Sequence, residues 1–202
     1  MGSSYLRISP QQWQSKLEGL EALGRPCRLC PHLCGVDRRE KTGVCRAPEQ
    51  LYVSNFNLHF GEEPPISGER GSGTIFLTHC NLRCVFCQNY PISQLGCGEA
   101  CSIERFAELM LGLQKRGAHN INFVSPMHYS WQLATAVKEA AIRGLTIPIV
   151  WNSNGYESVE TLKLLEGIID IYMPDIKYSS DESARRFSGA PGYWDIVRPA
   201  IL

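Results

Sequence analysis

Thr74-Ile-Phe-Leu-Thr-His-Cys80-Asn-Leu-Arg-Cys84-Val-Phe-Cys87 is the stretch that decides how this chain reads. Its first five residues form a short, apolar, β-prone run, and a cysteine-bearing loop follows immediately. In folds that alternate strands with helices, the loop at a strand's C-terminal end is where chemistry is placed. The cysteine spacings, C-x3-C-x2-C, let three thiolates converge from one tight loop.

Outward from this stretch, strand and helix patterns alternate. Glu104 to Arg116 reads as a helix with Phe106, Leu109, Met110 and Leu113 on one side. Asn120–Val124 is a second strand. Ser130 to Arg143 is a second helix, closed by Gly144 at a position suited to a left-handed cap. Ile147–Trp151 is a third strand, despite its internal proline. Ser158 to Glu166 is a third helix, and Ile168–Tyr172 a fourth strand. Strands separated by helices of this length imply βα units and a parallel sheet. Four strands are a partial count, so the fold expected is a partial (β/α) barrel, C-terminally incomplete. Upstream, Ser9-Pro10 followed by Trp13, Leu17, Leu20 and Leu23 predicts a capped amphipathic helix. Residues 25–46 are rich in cysteine, glycine and arginine without periodicity, a knuckle organised by something other than a hydrophobic core. Residues 61–73 read as an irregular connector. The expected division is 1–60, helix and cysteine knuckle, and 61–202, the βα core.

At 202 residues, 44% hydrophobic and 20% charged, the chain has the composition of an ordinary globular protein. Its formal net charge is zero. No field of one sign attracts nucleic acid or an anionic membrane, so neither partner is expected. No apolar stretch reaches the roughly 18–20 residues that span a bilayer. Residues 1–10 lack the apolar segment of a signal peptide, and the expected location is the cytoplasm. Nine cysteines, at 27, 30, 34, 45, 80, 84, 87, 97 and 101, are the unusual feature. An odd count without a secretory signal argues for metal ligation over a disulfide framework.

Three thiolates suit a [4Fe–4S] cubane with one open iron, whereas structural zinc is closed by four protein ligands. An open iron can chelate the amino and carboxylate groups of S-adenosylmethionine. One electron then cleaves the sulfonium, giving methionine and a 5′-deoxyadenosyl radical able to abstract hydrogen. The pattern C-x3-C-x-Φ-C, with Phe86 as Φ, resembles the radical S-adenosylmethionine superfamily, in which that aromatic lies beside the adenine. Gly61-Glu-Glu-Pro-Pro, Gly71-Ser-Gly-Thr-Ile-Phe, Cys87-Gln-Asn-Tyr, Asn120-Ile-Asn-Phe-Val and Pro174-Asp-Ile-Lys177 extend the likeness. They are similar to proteins related to pyruvate formate-lyase activating enzyme, in particular the PflX-like branch. The resemblance implies a cluster on Cys80, Cys84 and Cys87, and flavodoxin or ferredoxin as electron donor. A glycyl-radical enzyme is one implied substrate; a small molecule or another macromolecule is the alternative. A truncated, non-catalytic iron–sulfur or zinc protein is the reading from a different class.

Further site residues follow from the same resemblance. Trp151-Asn-Ser-Asn-Gly155 resembles the Asp-Thr-Asn-Gly motif of activating enzymes, with Asn152 where their cofactor-binding aspartate stands. Asp175-Ile-Lys177 resembles their Asp-Leu-Lys, and Lys177 would neutralise the methionine carboxylate. Where many superfamily members carry Gly-Gly-Glu-Pro, this chain has Ser125-Pro-Met-His128, and His128 is the candidate contact to cofactor or substrate. His79 either tunes the cluster or packs. Cys27, Cys30, Cys34 and Cys45 offer four thiolates, enough for one zinc or an auxiliary iron–sulfur cluster. Cys97 and Cys101 receive no role, and no residue is singled out as catalytic.

Overall fold

Ser9 and Pro10 start the first helix as the sequence predicts: the Ser9 hydroxyl accepts from the Gln12 backbone and the Gln12 side chain answers the Ser9 N–H. The computed structural model describes residues 2–202. In chain order its elements are α1 (Pro10–Gly24), β1 (Tyr52–His59), α2 (Pro64–Ser67), β2 (Ser72–Leu77), α3 (Tyr90–Ser93), β3 (Glu99–Ala100), α4 (Ile103–Lys115), β4 (Ile121–Val124), α5 (Ser130–Ile142), β5 (Ile149–Ser153), α6 (Val159–Leu165), β6 (Ile171–Pro174), α7 (Asp181–Ser188) and α8 (Tyr193–Ile201). Residues 25–51 contain no helix or extended strand, as expected of the knuckle.

The six strands form one sheet in the order β3-β1-β2-β4-β5-β6. β2, β4, β5 and β6 run parallel, giving the four βα strands that the alternation predicts. β1 and β3 add an antiparallel flank that it does not. The boundary expected at residue 60 separates β1 from β2, the strand to which it is hydrogen-bonded over most of its length. Helix α7 is likewise absent from that alternation, and α8 runs over Tyr193–Ile201 where the sequence suggests only the start of a further helix at Ile201-Leu202. α7 carries few apolar residues, and Pro199 interrupts the apolar run of α8.

Two predicted strands begin two or more residues later than expected. Pro148 has no N–H to give the ladder; its carbonyl accepts from Ile121 and β5 starts at Ile149. Ile168–Asp170 turn out of α6, with Ile168 and Ile169 N–H on the Leu165 carbonyl, and β6 starts at Ile171. Gly144 takes φ +101°, the left-handed cap foreseen.

The main core lies between the sheet and helices α1, α4 and α5. Ile75, Leu77, Ile121, Phe123, Ile149 and Trp151 point to one face and meet Phe106, Met110 and Leu113 of α4 and Leu133, Ala136 and Val137 of α5. Each large side chain so buried contributes about 1.5–3 kcal/mol. A strand's side chains alternate between faces, so the residues between these ones face the other way. That second face carries the site. No helix among the described residues is long and apolar enough to cross a membrane.

Candidate active site

Phe76, Val124, Asn152 and Met173 occupy one row across β2, β4, β5 and β6, each opposite the next in register. The first three line a cavity of about 610 Å³ at the C-terminal ends of the parallel strands. Strand-end residues supply the rest of its wall: Cys80 after β2, Ser125 after β4, Ser153 and Asn154 at and beyond the end of β5, Asp175 and Lys177 after β6. The cysteine loop closes it with Cys84, Phe86 and Cys87. Five predicted site residues apart in sequence therefore reach one cavity together with Cys80, namely Cys84, Phe86, Cys87, Asn152 and Lys177.

Every thiol of the loop has a polar neighbour. Cys80 Sγ lies 3.4 Å from the Leu82 N–H and 3.3 Å from the Asn154 amide nitrogen. Ser188, at the end of α7, donates to Cys84 Sγ at 2.9 Å. Cys87 Sγ and Ser93 Oγ stand 3.1 Å apart. Burial pushes the Cys80 thiol up, while the Leu82, Ser125 and Asn154 groups pull the other way. Three thiols lining one cavity, each with an N–H or O–H neighbour, fit a thiolate-bound cluster, because those donors stabilise charge on sulfur once a metal has displaced the protons.

The loop after β5 is locked in place. Glu157 is buried and accepts from Trp151 Nε1 at 2.6 Å and from Ser153 Oγ at 2.7 Å. Burial raises its carboxyl despite these two donors. Asn154, held here, also donates to Asn81 Oδ1 at 2.8 Å, and Asn81 donates to the Tyr156 carbonyl at 2.6 Å. Sequence reasoning picked Asn152 from this turn and passed over Asn154. The signal was available: Asn154 is the third residue of the same four-residue motif.

Lys177 is half-buried and pairs with Asp175. Burial alone would lower its ammonium, yet the Asp175 carboxylate and the charges at Cys84 and Cys80 raise it, so it stands in the cavity as a cation. Phe86 projects at the rim, 55% exposed, its ring 6.0 Å from that of Tyr178. His79 lines the wall with Nδ1 2.8 Å from Thr78 Oγ1, and burial lowers its imidazole. Gly96 makes room for it: a Cβ there would stand 2.7 Å from His79 Nε2.

His128 is placed differently from the contact expected of it. It is 1% exposed and does not line the cavity; its Nε2 lies 2.9 Å from the Thr78 carbonyl, behind the first cysteine. Desolvation pushes the imidazole down to about 3. It holds the end of β2 from behind.

The Radical SAM superfamily profile matches residues 74–201, well over half of the chain. The chain belongs to the radical SAM superfamily. A relative is the uncharacterized protein MJ0674 of Methanocaldococcus jannaschii, 34% identical over 199 residues, which cover 95% of this chain and 57% of the relative. The chain thus spans little more than half the length of that protein. Membership of the radical SAM superfamily implies a [4Fe–4S] cluster and S-adenosylmethionine, and the loop from Cys80 to Cys87 is where this chain offers the matching ligands.

Proposed function

We propose that the chain carries the cofactor-cleaving site of a radical S-adenosylmethionine enzyme, with Cys80, Cys84 and Cys87 holding the cluster and Phe86, Asn152 and Lys177 contacting the cofactor. The observation that carries this reading is the meeting of these six side chains in one cavity at the C-terminal ends of the parallel strands. The bound cluster and cofactor would supply one-electron cleavage of the sulfonium and a carbon radical for hydrogen abstraction.

The chain's own residues do the positioning. Lys177 presents a positive charge to a carboxylate from the β6 side. Asn152 offers an amide from β5, and Asn154 orients Cys80. Phe86 gives an aromatic face to a base. The walls formed by Phe76, Leu82 and Val124 limit water around a reactive radical. The electron arrives from a donor of the flavodoxin or ferredoxin class. Resemblance to activating enzymes favours a glycyl-radical enzyme as target, with modification of a small molecule as the second reading.

The test is anaerobic reconstitution with iron and sulfide, reduction, addition of S-adenosylmethionine and detection of 5′-deoxyadenosine. The expected result is product from the parent chain and none from Cys84→Ala. Product at parental level in that variant sinks the assignment of the cluster loop.

A further inference from the structure

Arg38 is a buried cation without an anion. It is 3% exposed. Its Nη1 donates to the His128 carbonyl at 2.7 Å, while Nε and Nη2 are buried and meet no acceptor among the described residues. The Tyr129 ring lies 5.9 Å from the guanidinium carbon. Glu49, the acid that feels its charge, is already held by Arg25 at 2.8 and 2.6 Å. A guanidinium with open donors in the interior is a costly arrangement unless an anion faces it. Cys45 is buried in the same core as Tyr129, the ring over which the guanidinium lies.

Cys45 is one of four. The Cys27 N–H bonds the Val36 carbonyl at 2.9 Å and the Gly35 N–H bonds the Cys27 carbonyl at 2.9 Å, which sets Cys27 beside Cys34. The Val44 N–H points at Cys34 Sγ, 3.4 Å away, which brings Cys45 next to Cys34. At Gly43 a Cβ would stand 2.7 Å from the same sulfur, so glycine lets the chain pass this close. Cys30 completes the group: it shares a buried core with Cys45, and the Leu33 N–H bonds its carbonyl at 3.0 Å in the turn that leads to Cys34. All four are free of disulfides, and Cys27, Cys30 and Cys45 are buried. As neutral thiols they give Arg38 nothing. As metal thiolates they give it the missing anion, because four thiolates around a dipositive ion or core leave a net charge of about 2−.

We propose that Cys27, Cys30, Cys34 and Cys45 hold a second metal centre, a four-thiolate iron–sulfur cluster whose negative charge Arg38 neutralises. A single zinc draws its thiolates close together around one ion, with Zn–S bonds of about 2.3 Å. No three Cys, His, Asp or Glu side chains among the described residues are gathered that tightly. The same is true of Cys80, Cys84 and Cys87, where membership of the superfamily implies a polynuclear core. With four protein ligands the second centre has no open iron, so it does not compete for S-adenosylmethionine. It braces the first loop from behind: His32 Nε2 lies 2.8 Å from the Asn81 carbonyl, next to Cys80, and Arg38 holds His128, which holds Thr78.

The proposal stands apart from the function proposed above, and its test removes the first site. The chain carrying Cys80→Ala, Cys84→Ala and Cys87→Ala, reconstituted anaerobically with iron and sulfide, should retain about four iron and four sulfide per chain. Adding Cys30→Ser and Cys45→Ser should abolish that iron. In the chain with its first site intact, those two serines alone should lower iron from about eight to about four per chain, a readout that survives if the triple variant folds poorly. Arg38→Gln should shed the second cluster to a chelator at least tenfold faster than the parent, and Arg38→Lys should recover part of the difference. A folded triple variant that binds no iron, or one zinc in its place, overturns the cluster. Parental chelator resistance in Arg38→Gln overturns the counter-charge.

Discussion

Lys177 and His128 are charged and neutral for opposite reasons, and each gives a measurable consequence. Lys177 keeps its proton because Asp175 and the nearby thiols outweigh its burial. A charge-assisted contact from it to the cofactor carboxylate is worth about 1.5–3 kcal/mol. Lys177→Met should therefore raise KM for S-adenosylmethionine about tenfold or more while kcat changes little, as measured by initial rates of 5′-deoxyadenosine formation. His128 is buried in its neutral form, its pKa pushed from 6.5 to about 3. The unfolded chain then binds the extra proton between these values, so the stability due to neutral burial is full above pH 6.5 and is lost as pH falls toward 3. Thermal midpoints should drop more steeply from pH 7 to 5 in the parent than in His128→Asn; parallel slopes would remove His128 from the account. Residue-scale strain gathers at the same places. The four non-glycine residues with positive φ among the described ones are Leu33 and Arg46, beside Cys34 and Cys45, and His79 and Ser125, beside Cys80 and at the mouth of β4.

Among the elements, α1 shows how local chemistry and packing divide the work. Its capping box fixes the start, and Trp13, Leu20 and Leu23 bury its inner face. Ser9→Ala should cost ~1 kcal/mol in denaturant unfolding, with the denaturant dependence unchanged, because one cap is lost and the packed face is not. The parallel strands were legible because each is an apolar run between amphipathic helices. β1 was not: Ser54, Asn55 and Asn57 interrupt its apolar residues, and its place is fixed by pairing with β2, a contact that local pattern does not encode. The four residues of α2 and of α3 are too few to show a period.

At the scale of the whole molecule, the C-terminal segment completes the site from the far side. Cys80, Leu82 and Cys84 share a small core with Tyr156, Tyr178, Ala184, Tyr193 and Val197, and backbone bonds run from Arg83 and Val85 to Ser188 and Phe187. Val197→Ala in α8 and Val137→Ala in α5 remove the same two methyl groups from fully buried positions and should each cost ~1–3 kcal/mol. Only Val197→Ala should also lower the iron retained by Cys80, Cys84 and Cys87, read as iron per folded chain in a background lacking the Cys30 and Cys45 thiols. Equal retention in the two variants would show that α8 does not support the loop. The sequence by itself determined the βα alternation, the cysteine loop and its placement after a strand, because periodicity and ligand spacing are properties of neighbouring residues. Only the tertiary structure decided that Asn154 bears on Cys80, that His128 stands behind the cavity, that Ser188 reaches Cys84 from more than a hundred residues away, and that Arg38 is buried with two of its nitrogens unpaired among the described residues. These depend on which face of a strand looks inward and on which distant loops pack together, and no local pattern carries that information.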